Sequence, residues 1–274
     1  MSKINILYAS DIHNEHRFTS GIMPFISESM FYSNQDYDAI VLAGDITSLS
    51  NLETFIESTI DMFPGVPILY TTGNHEYYHR DLSIPEIDAK IRELDNKYPD
   101  FHYLQNRWKQ IKDFYFFGGT MWSDFDCARP MLAINDQESI NFRKNKRLTV
   151  DDARSMFNEF KTELELFLNI VPREKAIVFS HFSPTPDFDN PFAATKDHND
   201  PDYFLKYYFC ANLSDILENP EIAPKVWIYG HTHYSMDETL SSGCRVVSNQ
   251  FGYPKENKFY QKEILEHLVI DSED

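Results

Sequence analysis

Long apolar runs are missing from this 274-residue chain. None approaches the ~18 residues that a membrane-crossing helix needs. The first ten residues, MSKINILYAS, lead straight into a strand-like segment and lack the basic-then-apolar pattern of a secretory leader. Cysteine is scarce: Cys127, Cys210 and Cys244 are odd in number, far apart and in no ligand spacing. That excludes a disulfide framework and predicts packed, reduced thiols. Together these absences predict a soluble, cytoplasmic protein with no membrane partner. Positive charge is also short, with 25 lysines and arginines against 43 acidic residues and a formal net charge of −18. A field of that sign repels a long polyanion and argues against extended nucleic-acid binding. It still allows a compact cationic pocket, because bound metal inverts charge locally. No repeat, low-complexity tract or Gly/Ser linker divides the chain, so a single domain over residues 1–274 is expected.

What is present is an alternation of short β-rich runs and longer helical stretches. Ile4–Ala9, Ala39–Ala43, Ile68–Thr72, Ala176–Phe179 and Val226–Tyr229 are apolar runs of the kind that form strands buried on both faces. Between them lie helix candidates at Ile22–Tyr32, Leu52–Met62, Pro85–Asn96 and Tyr207–Leu217. The clearest helix is Val150–Leu168. Thr149 and Asp152 form a capping-box pattern, and Ala153, Phe157, Phe160, Leu164 and Leu168 recur at helical spacing. His102–Leu104, Trp108–Ile111 and Phe114–Phe117 read as antiparallel strands, with further strand at Arg245–Val247 and Ile264–Ile270. Strand and helix in alternation predict an α/β fold, a parallel or mixed sheet with helices outside.

Each of the five apolar runs ends on a polar cluster. The clusters are Ser10-Asp11-Ile12-His13, Gly44-Asp45, Gly73-Asn74-His75-Glu76, Ser180-His181 and Gly230-His231-Thr232-His233. Ligands of open α/β sheets bind outside the carboxyl ends of the strands, so these clusters are expected to meet. Imidazole, carboxylate and amide oxygen together suit divalent Mn, Fe, Zn, Co or Ni, with manganese favoured. The lack of thiolates argues against a structural zinc. Seven candidate ligands, Asp11, His13, Asp45, Asn74, His181, His231 and His233, exceed one ion and serve two. A metal pair ~3.5–4 Å apart suits an in-line displacement at phosphorus.

The ordered set D-x-H, G-D, G-N-H-E, strand-end H and G-H-T-H, from Asp11 to His233, resembles the calcineurin-like metallophosphoesterase superfamily. The resemblance implies a four-layer αββα sandwich of two mixed β-sheets flanked by helices. It implies that Asp11, His13 and His233 hold one ion, that Asn74, His181 and His231 hold the second, and that Asp45 bridges. A hydroxide between the metals would be the nucleophile, and His75 would protonate the leaving oxygen or stabilise its charge. The expected partner is then a small phosphate ester. Phosphodiester hydrolysis of a nucleotide-like substrate is the leading expectation. A phosphomonoesterase, a nuclease and a metal-free scaffold are the alternatives.

Three features narrow the subclass. Gly44-Asp45-Ile46-Thr47-Ser48-Leu49-Ser50 lacks the arginine of the phosphoprotein-phosphatase G-D-x-V-D-R-G motif. Thr120–Phe125 and Ser248–Tyr253 look like small bacterial and phage-type members of the superfamily. Asn141–Arg147 (NFRKNKR) reads either as a substrate contact, with Arg143 as the preferred phosphate-gripping residue, or as a solvated loop. The proline-rich stretch from Ser183 to about residue 205 reads as a specificity loop, in which Phe192, Tyr203 and Phe204 stack on a base or cover the core. Glu76 is expected to support the site without ligating, Trp122 to be core, and His79 is a candidate second acid/base. His16, His102, His198 and His267 read as surface or structural histidines.

Overall fold

The computed structural model describes residues 2–19, 36–124, 134–186, 206–253 and 266–272. Within them β1 (Lys3–Ala9) leads into α1 (Asn14–Thr19), β2 (Ala39–Ala43) into α2 (Leu49–Met62), and β3 (Ile68–Thr71) into α3 (Ile84–Lys97). The chain continues through β4 (Phe101–Tyr103), β5 (Arg107–Ile111) and β6 (Phe114–Gly119). Then come α4 (Asn135–Ser139), the two short strands β7 (Asn141–Arg143) and β8 (Lys146–Arg147), and α5 (Val150–Ile170). It closes with β9 (Ala176–Ser180), α6 (Lys206–Phe209), α7 (Ser214–Leu217), β10 (Val226–Ile228), β11 (Met236–Thr239), β12 (Arg245–Ser248) and β13 (Glu266–Asp271).

Two mixed sheets result, ordered β13-β1-β2-β3-β4 and β11-β12-β10-β9-β6-β5. Alternation along each strand decides how they stack. Ile4, Ile6, Tyr8, Val41 and Leu69 of the first sheet share one buried cluster with Phe114, Phe116, Ile177, Phe179, Ile228 and Val247 of the second. The intervening residues point the other way. Leu7, Ile40, Leu42 and Tyr70 join a second cluster with Phe55 and Ile56 of α2 and with Ile87 and Ile91 of α3. Phe117, Val178 and Trp227 belong to that cluster with Phe157, Phe160, Leu164 and Phe167 of α5. The layers therefore run helix, sheet, sheet, helix, the expected αββα sandwich.

The strand runs at β1, β2, β3, β9 and β10 form with ends shifted by one residue or none. The α5 capping box is present, with the Asp152 N–H donating to Thr149 Oγ1 at 3.2 Å and the Thr149 N–H to Asp152 Oδ2 at 3.1 Å. Phe167 rather than Leu168 fills the last core position of that helix. Three expectations need correction. The strand expected at His102–Leu104 forms at Phe101–Tyr103 and is parallel to β3, because α3 returns the chain to run in the same direction. The other two of the three segments, β5 and β6, do pair antiparallel. The Tyr207–Leu217 helix is broken in two. Its middle bonds to the segment after β9, with the Ala211 N–H to Ser183 O at 2.8 Å and the Leu213 N–H to Pro184 O at 2.9 Å. Asn141–Arg147 is a hairpin, not a loop, with Asn145 at its turn in the left-handed region (φ 62°). The candidate helix Ile22–Tyr32, Cys127, His198, and Phe192, Tyr203 and Phe204 of the predicted specificity loop lie outside the described residues. Among the described residues no helix is long and apolar enough to cross a membrane.

Candidate metal centre

All five polar clusters meet at the carboxyl ends of β1, β2, β3, β9 and β10. The backbone there is bent into a conformation that L-residues rarely adopt. Asp11, His13, Asp45, His231 and His233 have φ between 47° and 73°. Each such non-glycine residue costs on the order of 1–3 kcal/mol and persists only where the surroundings enforce it. The motif glycines explain part of that enforcement. A Cβ on Gly73 would lie 2.1 Å from Asp45 Oδ1, and one on Gly44 would lie 2.6 Å from His181 Nδ1. The strand ends are packed this closely because carboxylates, imidazoles and backbone N–H groups interlock. The His231 N–H donates to both oxygens of Asp11 at 3.0 Å, and the His75 N–H donates to Asp45 Oδ1 at 2.9 Å.

The seven expected ligands fall into two groups, and a third cluster of His13, Glu15, His16 and His75 shares His13 with the first. Asp11, His13 and His233 make one, with His13 Nε2 3.2 Å from His233 Nε2, and His233 Nε2 3.6 Å from Asp11 Oδ1. Asp45, His181 and His231 make the other, joined by Asn74: His181 Nε2 lies 3.1 Å from both His231 Nδ1 and Asn74 Oδ1. Asp45 Oδ2 faces both groups, 3.7 Å from His13 Nε2 and 3.5 Å from His181 Nε2. His181 is held from behind by Ala43 O, 3.0 Å from its Nδ1.

The donor set fits a pair of divalent ions. Imidazole nitrogens face one another at hydrogen-bonding distance, and the buried His231 Nε2 has no hydrogen-bond partner among the described residues. Buried polar atoms are rarely left so. The charges divide in a way that suits loading. Burial pushes His13 down to about 3, and burial with the His181 charge pushes His231 well below its ordinary value, so both are neutral at pH 7. Burial opposes the charged form of His181 too, but the Asp45 carboxylate overcomes it and holds His181 up at about 9. Burial likewise works to raise Asp45, and the His181 and His75 charges hold it well below its ordinary value.

Glu76 takes no place in either group. Its carboxylate accepts the backbone N–H of Asp45 at 3.0 Å, of Ile46 at 2.8 Å and of Gly73 at 2.7 Å, which ties the G-D loop to the G-N-H-E loop. Burial and the Asp45 charge push its carboxyl up to about 8, against the pull of those donors. His75 lies beside the cluster, stacked on Tyr78 (4.3 Å between ring centroids), and its Nε2 pairs with Tyr253 Oη at 2.9 Å. His79 turns elsewhere, its Nδ1 accepting the N–H groups of Asp81 and Leu82. Trp122 is buried as expected.

A cavity of about 230 Å³ opens over the cluster. Its lining combines the polar residues Asp45, Asn74, His75, Asn135, Asp136, His231 and His233 with Tyr78, Ile134, Tyr208, Phe209 and Tyr253. Arg143 is not in this lining. It is exposed on the β7–β8 hairpin, its guanidinium over the ring of Phe142 at 5.3 Å. Reasoning from sequence missed Asp136 and Tyr208, since neither ends a strand. It also missed Glu15, whose Oε1 lies 3.4 Å from His13 Nδ1. An acidic residue two places after the D-x-H histidine was the only signal for it.

A two-sheet sandwich that gathers carboxylate, amide and imidazole groups at its strand ends fits a metal-dependent hydrolase of phosphoric esters. The chain belongs to the calcineurin-like phosphoesterase family, whose sequence model matches residues 4–235. A relative from Acanthamoeba polyphaga mimivirus, the uncharacterized protein L509, is 26% identical over a 296-residue alignment covering 97% of this chain and 98% of that one. In fold the chain is similar to the phosphopantetheinyl hydrolase PptH of Mycobacterium tuberculosis. The TM-score is 0.70 at 12% identity, over 96% of this chain and 95% of that one. It is also similar to the protein TT1561 of Thermus thermophilus, with a TM-score of 0.52 at 14% identity over 91% and 90% of the two chains.

Proposed function

We propose that this protein is a cytoplasmic phosphodiesterase acting on a small, nucleotide-like substrate at two divalent ions, manganese favoured. Asp11, His13 and His233 hold one ion, Asn74, His181 and His231 hold the other, and Asp45 bridges them. The position of Asp45 Oδ2 between the two groups supports the bridge. Residues 1–274 act as one domain, with the stretch from residue 183 to 205 as its specificity loop.

When bound, the ions lower the pKa of an attacking water toward neutrality and offset charge on the phosphate oxygens. The chain supplies the remaining parts. His75 donates the proton that the departing oxygen needs, from an imidazole fixed by the Tyr253 hydroxyl on one edge and the Tyr78 ring on one face. The backbone bond from His75 to Asp45 Oδ1 keeps that imidazole in register with the bridging carboxylate.

The observation that carries the diester reading is the cavity wall. Tyr78, Tyr208, Phe209 and Tyr253 line it, and among the described lining residues there is no lysine or arginine. A diester phosphate bears a single charge and two organic groups, which suits two ions and an aromatic surface. A monoester dianion calls for a fork-shaped cation as well. Arg143 lies outside the cavity, so the substrate contact proposed for it is to a group that extends past the mouth. The test is hydrolysis of a chromogenic phosphodiester beside its monoester, with Mn²⁺ restored after chelation. Diester turnover is expected to dominate; dominant monoester turnover would put a phosphomonoesterase in its place.

A further inference from the structure

We propose that Asp136 is a positioning residue that fixes the amide of Asn74 with its oxygen toward the second ion, and so sets the affinity of that ion. The inference rests on the two-ion reading above.

Asp136 lies in the short helix α4, outside every motif, and is only 2% exposed. Its Oδ1 accepts the Asn74 amide N–H at 2.9 Å and the Tyr78 hydroxyl at 2.5 Å, and its Oδ2 accepts the Tyr208 hydroxyl. On the far side of the same amide, Asn74 Oδ1 lies 3.1 Å from His181 Nε2. An asparagine amide has nearly the same shape in both orientations, so its neighbours choose between them. Oδ1 of Asp136 already receives two donors and is an acceptor whether or not Oδ2 carries a proton. Only the NH₂ of Asn74 can face it. The carbonyl oxygen, the ligating atom, is thereby aimed at the group formed by His181, His231 and Asp45. A flipped amide would set oxygen against oxygen on one side and NH₂ against a cation on the other, both in a buried setting where such conflicts are costly. The two tyrosine hydroxyls in turn hold the carboxylate, so the aromatic wall and the second ion site share one anchor.

Asp136→Asn isolates this role. It keeps the shape and can still meet both tyrosines, but an amide at 136 accepts either face of Asn74. Titration calorimetry of Mn²⁺ into chelator-stripped protein reads the result, with thermal melting of the ion-free protein as control. The wild type is expected to take up two ions. D136N should keep its melting temperature and one uptake step while the other weakens by about 10–100-fold. In an Asn74→Ala background, D136N should add nothing, because its effect passes through Asn74. Unchanged uptake, equal weakening of both steps, or a loss that persists undiminished without Asn74 would overturn the inference. Should D136N melt early, Tyr208→Phe carries the test. It loosens the carboxylate that orients Asn74, so one uptake step should weaken while the other stays, and two unchanged steps or equal weakening of both would overturn the inference. A wild type that takes up no ion fails the two-ion reading itself, a result distinct from any of these.

Discussion

The carboxylate of Glu76 accepts the backbone N–H of Asp45 at 3.0 Å, across 31 residues of sequence. The same carboxylate holds Ile46 and Gly73, so one side chain fixes the G-D and G-N-H-E loops to each other. Glu76→Gln has one acceptor where three N–H groups converge, and its NH₂ must oppose at least one of them. A buried donor left unmet costs about 1–3 kcal/mol. Urea unfolding of the metal-free variant at pH 9, above the Glu76 pKa of about 8, should show a loss of that size. A loss below about 0.5 kcal/mol, the scale of an ordinary surface substitution, would remove the clamp role.

Asp45 is placed differently: its Oδ2 faces both side-chain groups at the strand ends. Asp45→Ala should abolish hydrolysis and lower the ion content of both sites together. Elemental analysis after dialysis against Mn²⁺ decides it: one ion retained at full occupancy would take the bridge away from Asp45.

His75 touches the cluster without completing it. His75→Ala should therefore keep both ions and lose about 10²–10⁴-fold in kcat, the usual cost of a missing general acid. Tyr253→Phe, which removes only the hydroxyl facing His75 Nε2, should cost less than removing the imidazole. Equal losses in the two variants would move the proton donor to Tyr253.

The strand ends carried most of what could be read in advance. A short apolar run such as Ala39–Ala43, bounded by Gly44-Asp45, reads as a central strand, and the polar residues that follow it sit where such sheets bind ligands. Direction was harder to read. Phe101–Tyr103 alternates like an antiparallel strand, but α3 sets it parallel to β3, and side-chain pattern carries no sign for direction. Asp136 was invisible for a related reason. It reaches Asn74 across 62 residues of sequence through a tertiary contact that no local pattern encodes. The split of Tyr207–Leu217 into α6 and α7 likewise follows from backbone bonds to Ser183 and Pro184, which outcompete a helical continuation.

The charge on His181 ties ion loading to pH. In the metal-free protein the Asp45 carboxylate outweighs burial and raises His181 from 6.5 to about 9. A histidine raised on folding contributes stability that is complete below its unfolded pKa and is lost as pH rises through its folded one. Burial and the Asp45 charge raise Glu76 from 4.5 to about 8, which acts in the same direction. The chelated protein should therefore melt at progressively lower temperature between pH 6.5 and 9. Ion binding has the opposite dependence, because the His181 proton must leave before its Nε2 can ligate. His13 and His231 are already neutral and have no proton to give up. Mn²⁺ should then bind more tightly as pH rises from 7 toward 9, with a proton released at pH 7. Calorimetry in two buffers of different ionisation enthalpy measures that release directly. Binding without proton release, or a chelated protein that gains stability over this window, would mean that His181 and Asp45 do not form a charged pair.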